Sequence, residues 1–344
     1  MRILIIGDVH WSEYSSVLRK QGEVYSQRLE NLIETINWCE SLCSEKDCGR
    51  VVYLGDFFDK PTLNDREISA LREICWNMDV PHDAIVGNHE SSVGGLQFSS
   101  TRVLESGSFH VHSCTSIEHG DGYDVLWLPY ITEDDRKPLS EYIGGGFSSG
   151  AKRIVFSHND LMGVSFGQFE SKVGFTLDEI EANSDLFVNG HLHNGAWVTK
   201  KILNLGNITG QNFGEDAYRY EHHAAILDTD TLRMEFIENP HAFNFAQISI
   251  ANDTDVGNLR IKKGNMVVNF RCPDRLIPSL REKLKSLPLA ESRITAVKEQ
   301  SSAAGGNAAA PIEAIDGNKK FSEFMLDRLG SSELVKKEIL EVTR

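Results

Sequence analysis

The sequence lacks the patterns that mark secreted, membrane-spanning or zinc-ribbon proteins. It has no tripartite leader at its start and no apolar run that approaches the roughly 18 residues of a membrane helix. Its six cysteines are scattered, and none forms a CxxC pair. These absences predict a cytoplasmic protein with reduced cysteines, no membrane span and no structural zinc site.

The chain also lacks an excess of basic residues. Its 35 Lys and Arg face 50 Asp and Glu, a net charge of -15, which argues against binding nucleic acid through the overall field of the protein. The exception is 260–298, with ten basic and three acidic residues, a local charge of +7. A solvated basic face and a surface that contacts phosphate groups both fit this stretch.

A nucleotide phosphate loop is absent as well. The run of glycines at 144–146 lacks the lysine and the hydroxyl residue that a P-loop places after it, so it predicts a turn. Any ATPase activity in an assembly with this protein must therefore come from another chain.

Five short apolar runs each stop at a polar cluster, as buried strands do when they present polar residues at their carboxyl ends. The runs are 3–6, 51–54, 84–86, 154–156 and 186–188. Apolar residues recur at helical spacing between these runs: over 29–42 between the first and second, and at Ile68, Leu71 and Cys75 between the second and third. This alternation predicts a layered α/β core, in which ligands gather outside the carboxyl ends of the strands.

Four parts follow one another along the chain. Alternating segments between 201 and 237 complete the first part, and 301–310 contains only Ser, Ala, Gly and Asn, which is linker composition. The predicted parts are a catalytic core over 1–243, a small α+β cap over 246–297, a flexible linker over 298–320 and an amphipathic helix pair over 321–344. The helix pair can dock onto its own core or occupy a groove in a partner.

The five polar clusters contain the residue types that hold divalent cations. They supply Asp8, His10, Asp56, Asp59, Asn88, His89, His158, His191 and His193. Aspartate can bridge two cations, and imidazole and amide ligands complete each coordination sphere without excess negative charge, a mixture that suits Mn²⁺, Fe or Zn²⁺ better than Mg²⁺ alone. Two such ions can clamp a phosphoryl group and supply a hydroxide nucleophile. The clusters therefore predict a two-metal phosphoesterase.

The ordered set D-x-H, GDxxD, GNHE, a lone histidine and GHxH resembles the signature of the calcineurin-like metallophosphoesterase superfamily, over roughly residues 1–240. The resemblance implies a four-layer α/β/β/α sandwich with a small α+β cap domain and C-terminal helices. It also implies two metal sites that share Asp56. The first would be held by Asp8, His10, Asp56 and His193, and the second by Asp56, Asn88, His158 and His191.

Two further roles come from the same resemblance. His89 resembles the catalytic histidine that contacts the phosphate and protonates the leaving oxygen. Asp59 is the carboxylate predicted to orient it, although some nuclease relatives carry histidine at this position. Glu90 stands where aspartate is commoner.

Within the superfamily, the chain resembles the SbcD-type nuclease subunit that processes DNA double-strand breaks, including its phage recombination-endonuclease members. Protein phosphatases of the superfamily carry arginine where this chain has Lys60 and Val86, whereas the small cap, the linker and the loop over 204–215 resemble the nuclease subunit. This resemblance implies a Mn²⁺-dependent exonuclease and single-strand endonuclease that contacts DNA through its cap. It also implies a homodimer whose C-terminal helices bind an SMC-like coiled-coil ATPase, in the host cytoplasm if a phage encodes it.

Two rival functions stay open on the sequence. A phosphodiesterase of small nucleotides would need the same metals but no ATPase partner. A non-catalytic scaffold on a phosphoesterase fold would not need the complete set of ligands that this chain carries.

Overall fold

The computed structural model describes residues 1–297 apart from 19, 167, 168, 216, 262 and 263. The predicted linker over 298–320 and helix pair over 321–344 lie outside the described residues.

The strands are, in chain order, β1 (Arg2–Ile6), β2 (Arg50–Tyr53), β3 (His82–Ile85), β4 (Phe109–His112), β5 (Ser116–His119), β6 (Tyr123–Leu128), β7 (Lys152–Ser157), β8 (Ser165–Phe166), β9 (Phe169–Glu170), β10 (Leu186–Asn189), β11 (Ala196–Trp197), β12 (Ile202–Asn204), β13 (His223–Asp228), β14 (Arg233–Glu238), β15 (Asn244–Ser249), β16 (Met266–Cys272) and β17 (Leu289–Ala296). The α-helices are α1 (Gln27–Glu45), α2 (Asp65–Ala70), α3 (Leu139–Ile143), α4 (Leu177–Asn183), α5 (Asp253–Asn258) and α6 (Ile277–Leu284). Short 3₁₀ turns lie at Leu71–Glu73, Leu96–Phe98, Ser100–Leu104, Glu133–Asp135 and Asp274–Leu276.

The first large sheet has the strand order β14-β13-β1-β2-β3-β4. Strands β1 to β4 run parallel, whereas β13 pairs antiparallel with β1 and β14 pairs antiparallel with β13. The apolar runs predicted as the first three strands coincide with β1, β2 and β3, with small shifts at their ends. Because these strands are parallel, their carboxyl ends meet at one edge of the sheet.

The second large sheet has the order β11-β12-β10-β7-β6-β5. Strands β12, β10, β7 and β6 are parallel, and the two outer strands run antiparallel to their neighbours. The fourth and fifth predicted strands coincide with β7 and β10. All five polar clusters therefore follow parallel strands of two neighbouring sheets.

The two large sheets pack face to face, with helices on both outer surfaces. Side chains alternate along each strand, so Ile5 faces the second sheet, where it joins a cluster with Phe156 and Val188, whereas Leu4 faces α1. On the far side, Phe187 packs with α3 and α4. The order helix, sheet, sheet, helix confirms the predicted four-layer α/β/β/α sandwich.

The helix predicted around Ile68, Leu71 and Cys75 is much shorter than its spacing suggested. Helix α2 ends at Ala70, Ile68 is 43% exposed and Cys75 is exposed. One buried side chain of this helix is a carboxylate: Glu67 closes a capping box with Asn64 and also accepts hydrogen bonds from the Glu13 amide and the Ser12 hydroxyl. The helix therefore turns Glu67, not Ile68, towards the protein interior.

The small sheet has the order β15-β16-β17, and all three strands are parallel. Helices α5 and α6 cover one of its faces, where Val256 and Leu280 pack against Val268 and Phe270. The strand predicted near 266–270, the helix near 277–287 and the strand near 293–297 are present with different ends. The division into a core over 1–243 and a cap over 246–297 stays a prediction, since Met1–Lys298 forms one compact unit.

Among the described residues, no helix has both the length and the apolar character that a transmembrane helix requires.

Candidate metal centre

The loops after the parallel strands hold their backbone in an uncommon conformation. His10, Asp56 and His191 have φ values of 50°, 45° and 73°, in the left-handed region that non-glycine residues rarely adopt. The amides of Val9 and His10 donate to the carbonyl of Asp56 at 3.1 and 2.8 Å, so the first two loops hold each other in place. Such strain is maintained where the surrounding structure fixes it, commonly at functional sites.

Glycine is required at position 87, where the loop after β3 passes the loop after β2. A Cβ atom on Gly87 would lie 2.1 Å from the Asp56 Oδ1, closer than any side chain permits. The close approach lets the backbone amide of His89 donate to the same oxygen at 2.9 Å. The motif glycine therefore lets the second and third loops share one carboxylate.

The first group of ligand atoms belongs to Asp8, His10 and His193. The Nε2 atoms of the two histidines face each other at 3.2 Å. Each ring is held from behind by a carboxylate, which can only accept a hydrogen bond: Asp59 lies 3.0 Å from Nδ1 of His10, and Glu215 lies 3.2 Å from Nδ1 of His193. Both Nε2 lone pairs of the neutral rings then point at the same space, which is what a shared cation requires.

The carboxylate of Asp8 indicates that a cation fits this space. Its Oδ1 accepts from the backbone amide of His191 at 3.0 Å, whereas its Oδ2 has no hydrogen-bond partner among the described residues. The side chain is fully buried, and a buried carboxylate oxygen without a donor is costly. This oxygen lies 4.0 Å from Nε2 of His193, so a divalent cation between them would satisfy both atoms.

The second group consists of Asp56, Asn88, His158 and His191. The Nε2 atom of His158 lies 3.2 Å from Oδ2 of Asp56 and 3.1 Å from Oδ1 of Asn88, and Nδ1 of His191 lies 3.0 Å from the same amide oxygen. Oδ2 of Asp56 is also 3.9 Å from Nε2 of His10. Asp56 therefore stands between the two groups, where the predicted bridging ligand must be.

Electrostatic coupling between Asp56 and His158 is strong. Burial alone would raise the pKa of Asp56, but the charge and hydrogen bond of His158, together with His10 and His89, hold the pKa of this carboxyl well below its usual range. Burial opposes protonation of His158, yet Asp56 raises the pKa of this imidazole to about 9. Because a histidine must be neutral to bind a metal, an ion that binds here displaces the proton that His158 holds.

His89 stands at the mouth of the centre. Its side chain is 44% exposed, and its ring meets that of His10 edge to face at 4.8 Å. Its Nδ1 lies 3.2 Å from the carbonyl oxygen of Asp59 and 3.8 Å from the Asp59 carboxylate. The same carboxylate lies closer to His10, so Asp59 contacts both the predicted catalytic histidine and a predicted ligand, and its orienting role stays a prediction.

Three acidic residues have roles that motif spacing did not show. Glu215 holds His193, and Asp160 lies 3.5 Å from Nε2 of His191. Glu90 is fully buried and accepts from the amides of Phe58 and Gly87, so it ties the second loop to the third. Burial, followed by the charge of Asp56, raises the pKa of Glu90 to about 7.

Comparison with known proteins agrees with this geometry. The calcineurin-like phosphoesterase family matches residues 1–227. The chain belongs to this family. This phosphoesterase is also 23% identical over 244 residues to "Probable exonuclease subunit 1" of Escherichia phage T5, an alignment that covers 69% of each protein. Among solved structures, it is similar to a dimetal phosphatase from Danio rerio with a TM-score of 0.40 and 14% identity, over 70% of this chain and 99% of that one.

The family and the two ligand groups together describe a metal-dependent hydrolase of phosphate esters with sites for two divalent ions. Bound ions would polarise a phosphoryl group and supply a hydroxide nucleophile. The protein's own part is to hold the ligand atoms: Asp59 and Glu215 fix two imidazole rings, and Glu90 fixes two loops.

Proposed function

We propose that this phosphoesterase is a Mn²⁺-dependent DNA nuclease, with exonuclease and single-strand endonuclease activities, that processes DNA ends in recombination and repair. The observation that carries the proposal is a pair of exposed arginines on the small sheet, one of which lines a groove with the loop that follows His10. The likeness to a phage exonuclease subunit supports the same substrate, and a phage origin of that relative fits action in the cytoplasm of a host cell.

The arginines are Arg271 on β16 and Arg293 on β17. Val267 on the same face of β16 packs with Leu18 and Phe245, so this face points away from α5 and α6 and towards the segment that contains Leu18. Arg293 stands in register with Asn269, which shares that face, and it lines a groove of about 430 Å³ together with Ser16 and Val17. Both arginines are exposed, so phosphates of a bound strand can reach them.

Replacing both arginines by glutamine is expected to weaken DNA binding at every sequence and to flatten its dependence on salt. Each lost phosphate contact lowers the slope of log K against log salt by about 0.9, so the double variant should lose about two units. Hydrolysis of bis(p-nitrophenyl) phosphate, which has no second phosphate to contact the arginines, should not change. Fluorescence anisotropy at several salt concentrations measures the slope.

A matched control is Arg233→Gln. Arg233 is exposed on β14 opposite Asp228, which pairs with Arg2 at the amino end of β1, far from the metal loops. A slope that stays the same in the double variant, or falls equally in the control, would contradict the proposed DNA surface.

Degradation of linear duplex DNA in Mn²⁺, abolished by chelation, tests the activity itself. The mixture of carboxylate, amide and imidazole ligands motivates the choice of metal. If small nucleotides were hydrolysed while linear and single-stranded DNA stayed intact, the protein would be a small-nucleotide phosphodiesterase instead.

We further propose that an SMC-like coiled-coil ATPase binds the predicted helix pair over 321–344. The T5 relative is named as a subunit, which supports a multi-subunit assembly. A pull-down that compares the full chain with a chain lacking 321–344 is expected to recover an ATPase only with the full chain. Equal recovery with both chains would locate the partner elsewhere.

The homodimer is proposed on an apolar stretch after the GNHE loop. Val93 is fully exposed, Phe98 is 61% exposed and Val103 is 50% exposed, which is unusual for three large apolar residues within so short a segment. Phe98→Asp is expected to halve the mass measured by sedimentation, because a charge cannot be buried unpaired in the interface. Met78→Asp, at a residue 48% exposed on another loop, should leave the mass unchanged. A wild-type monomer would contradict the dimer.

A further inference from the structure

A cleft lined by aromatic rings opens at the outer edge of the two large sheets. It has a volume of about 460 Å³, and its lining includes Trp197, Tyr218, Arg219, Tyr220, His223 and Phe236. This volume lies within the range of small-ligand sites, about 300–1,000 Å³. We call this space the aromatic cleft.

The strand register places the aromatic cleft at the same end of the sheets as the metal centre. Trp197 pairs with Leu203 near the carboxyl end of β12, which runs parallel to the strand that leads to His191 and His193. In the other sheet, Ile5 near the carboxyl end of β1 pairs with Ala225, whose partner on β14 is Phe236. Trp197 lies only four positions after His193 in the chain, a reach of at most about 14 Å.

The rings of the aromatic cleft are open to solvent. Trp197 and Tyr218 are each 44% exposed and Phe236 is 39% exposed, although such side chains are normally buried. The rings of Trp197 and Phe236 meet edge to face, with centroids 6.4 Å apart, so they do not cover each other. The exposed part of the indole is therefore available to a flat ligand.

The polar groups of the aromatic cleft suit a ligand with both a flat and an anionic part. Arg219 lines the wall and supplies a cation next to the rings. Glu221 also lines it, and its carboxylate lies 3.5 Å from Nε2 of His223. A nucleotide of single-stranded DNA has this combination of a planar base and a phosphate.

We infer that the aromatic cleft binds an unpaired nucleobase of the DNA strand whose phosphate lies at the metal centre, with the base stacked on Trp197. This inference rests on the proposed nuclease function and adds to it a separate site that recognises single strands. Bases stack on aromatic rings with little regard to sequence, so the cleft would hold a frayed or single-stranded end and would not select a motif.

The test compares two probes of equal length, a short oligothymidylate and an abasic oligonucleotide with the same number of phosphates. The full-length wild-type protein should bind oligothymidylate about tenfold more tightly than the abasic strand, a difference typical of one stacked base. Trp197→Ala should remove this difference, whereas Trp197→Phe, which keeps a ring, should retain most of it. Phe236→Leu is a second variant in case Trp197→Ala does not fold. Fluorescence anisotropy measures all four proteins, and hydrolysis of bis(p-nitrophenyl) phosphate should stay unchanged.

Three results would overturn the inference: no base-dependent binding in the wild type, a Trp197→Ala variant that keeps the difference, or a variant that loses both probes equally. A change of mass in Trp197→Ala with unchanged DNA binding would assign the cleft to a second copy of the chain and also overturn it. Failure of the nuclease proposal would give a distinguishable result, since wild-type protein would then hydrolyse bis(p-nitrophenyl) phosphate and leave DNA uncut.

Discussion

Asp56→Asn is expected to remove tightly bound metal and to lower phosphodiester hydrolysis by at least about a thousandfold. The carboxylate lies between the two ligand groups, 3.2 Å from His158 Nε2 and 3.9 Å from His10 Nε2. Asparagine replaces one oxygen by an NH₂ group and removes the negative charge, so it can no longer bridge two cations. Loss of the several kcal/mol that metal ions contribute to the transition state corresponds to about this factor.

The substitution is chosen to spare the fold. Asparagine tolerates the left-handed backbone of Asp56 as well as aspartate does, and its Oδ1 can still accept from the amide of His89. Asp124→Asn is the matched control. Asp124 is also a buried carboxylate, but it lies on β6 of the second sheet, where it accepts from the Ser148 amide and bonds to the His119 ring. Calorimetric titration with Mn²⁺ measures the number of bound ions. A full complement of ions in Asp56→Asn with normal hydrolysis would refute the bridging role.

The parts of the centre that sequence could predict are those fixed by the ends of parallel strands. Asp8, Asp56 and Asn88 follow buried apolar runs, and the parallel pairing of those runs brings the three residues to one edge. His158 and His191 follow the parallel strands β7 and β10 of the facing sheet, which brings them to the same region. Convergence therefore followed from strand patterns and needed no knowledge of the loops.

The supporting carboxylates could not be predicted in the same way, because their positions depend on loop conformation. Glu215 reaches His193 only because the loop after β12 folds back, with the Gln211 amide and the Asn207 side chain both donating to its carboxylate. Nothing in the spacing between His193 and Glu215 specifies that fold. The available signal was the resemblance of the loop over 204–215, which ends at this glutamate, to the nuclease subunit.

Apolar periodicity gave a wrong prediction for the helix around Ile68, because a charged residue of this helix is buried in the interior. Glu67 is fully buried, and Lys60 lies 2.9 Å from its carboxylate. A helical wheel places such a residue on the solvent face, which is why Ile68 was expected to face inward. Burial of a carboxylate is favourable here because donors from several segments satisfy it, and that information is tertiary.

His89→Gln is expected to lower DNA cleavage by about 10²–10⁴-fold while leaving metal binding and folding intact, which is the effect of removing a general acid. The side chain is 44% exposed and lies outside the groups of Asp8, His10 and His193 and of Asp56, His158 and His191, although it forms a third group of possible ligands with His10 and Asp59. Glutamine preserves length and polarity but cannot deliver a proton. Rates on linear DNA and the content of bound Mn²⁺ are the two measurements, with His119→Gln, an exposed histidine that bonds to Asp124, as the control.

The leaving group separates proton donation from other roles of His89. The oxygen released from DNA is an alkoxide that needs a proton, whereas p-nitrophenolate leaves readily without one. A general acid therefore matters for the first substrate and hardly for the second, so His89→Gln should slow DNA cleavage far more than hydrolysis of bis(p-nitrophenyl) phosphate. Equal slowing of both substrates would mean that His89 only binds the phosphate, and undiminished cleavage of DNA would remove it from the reaction altogether.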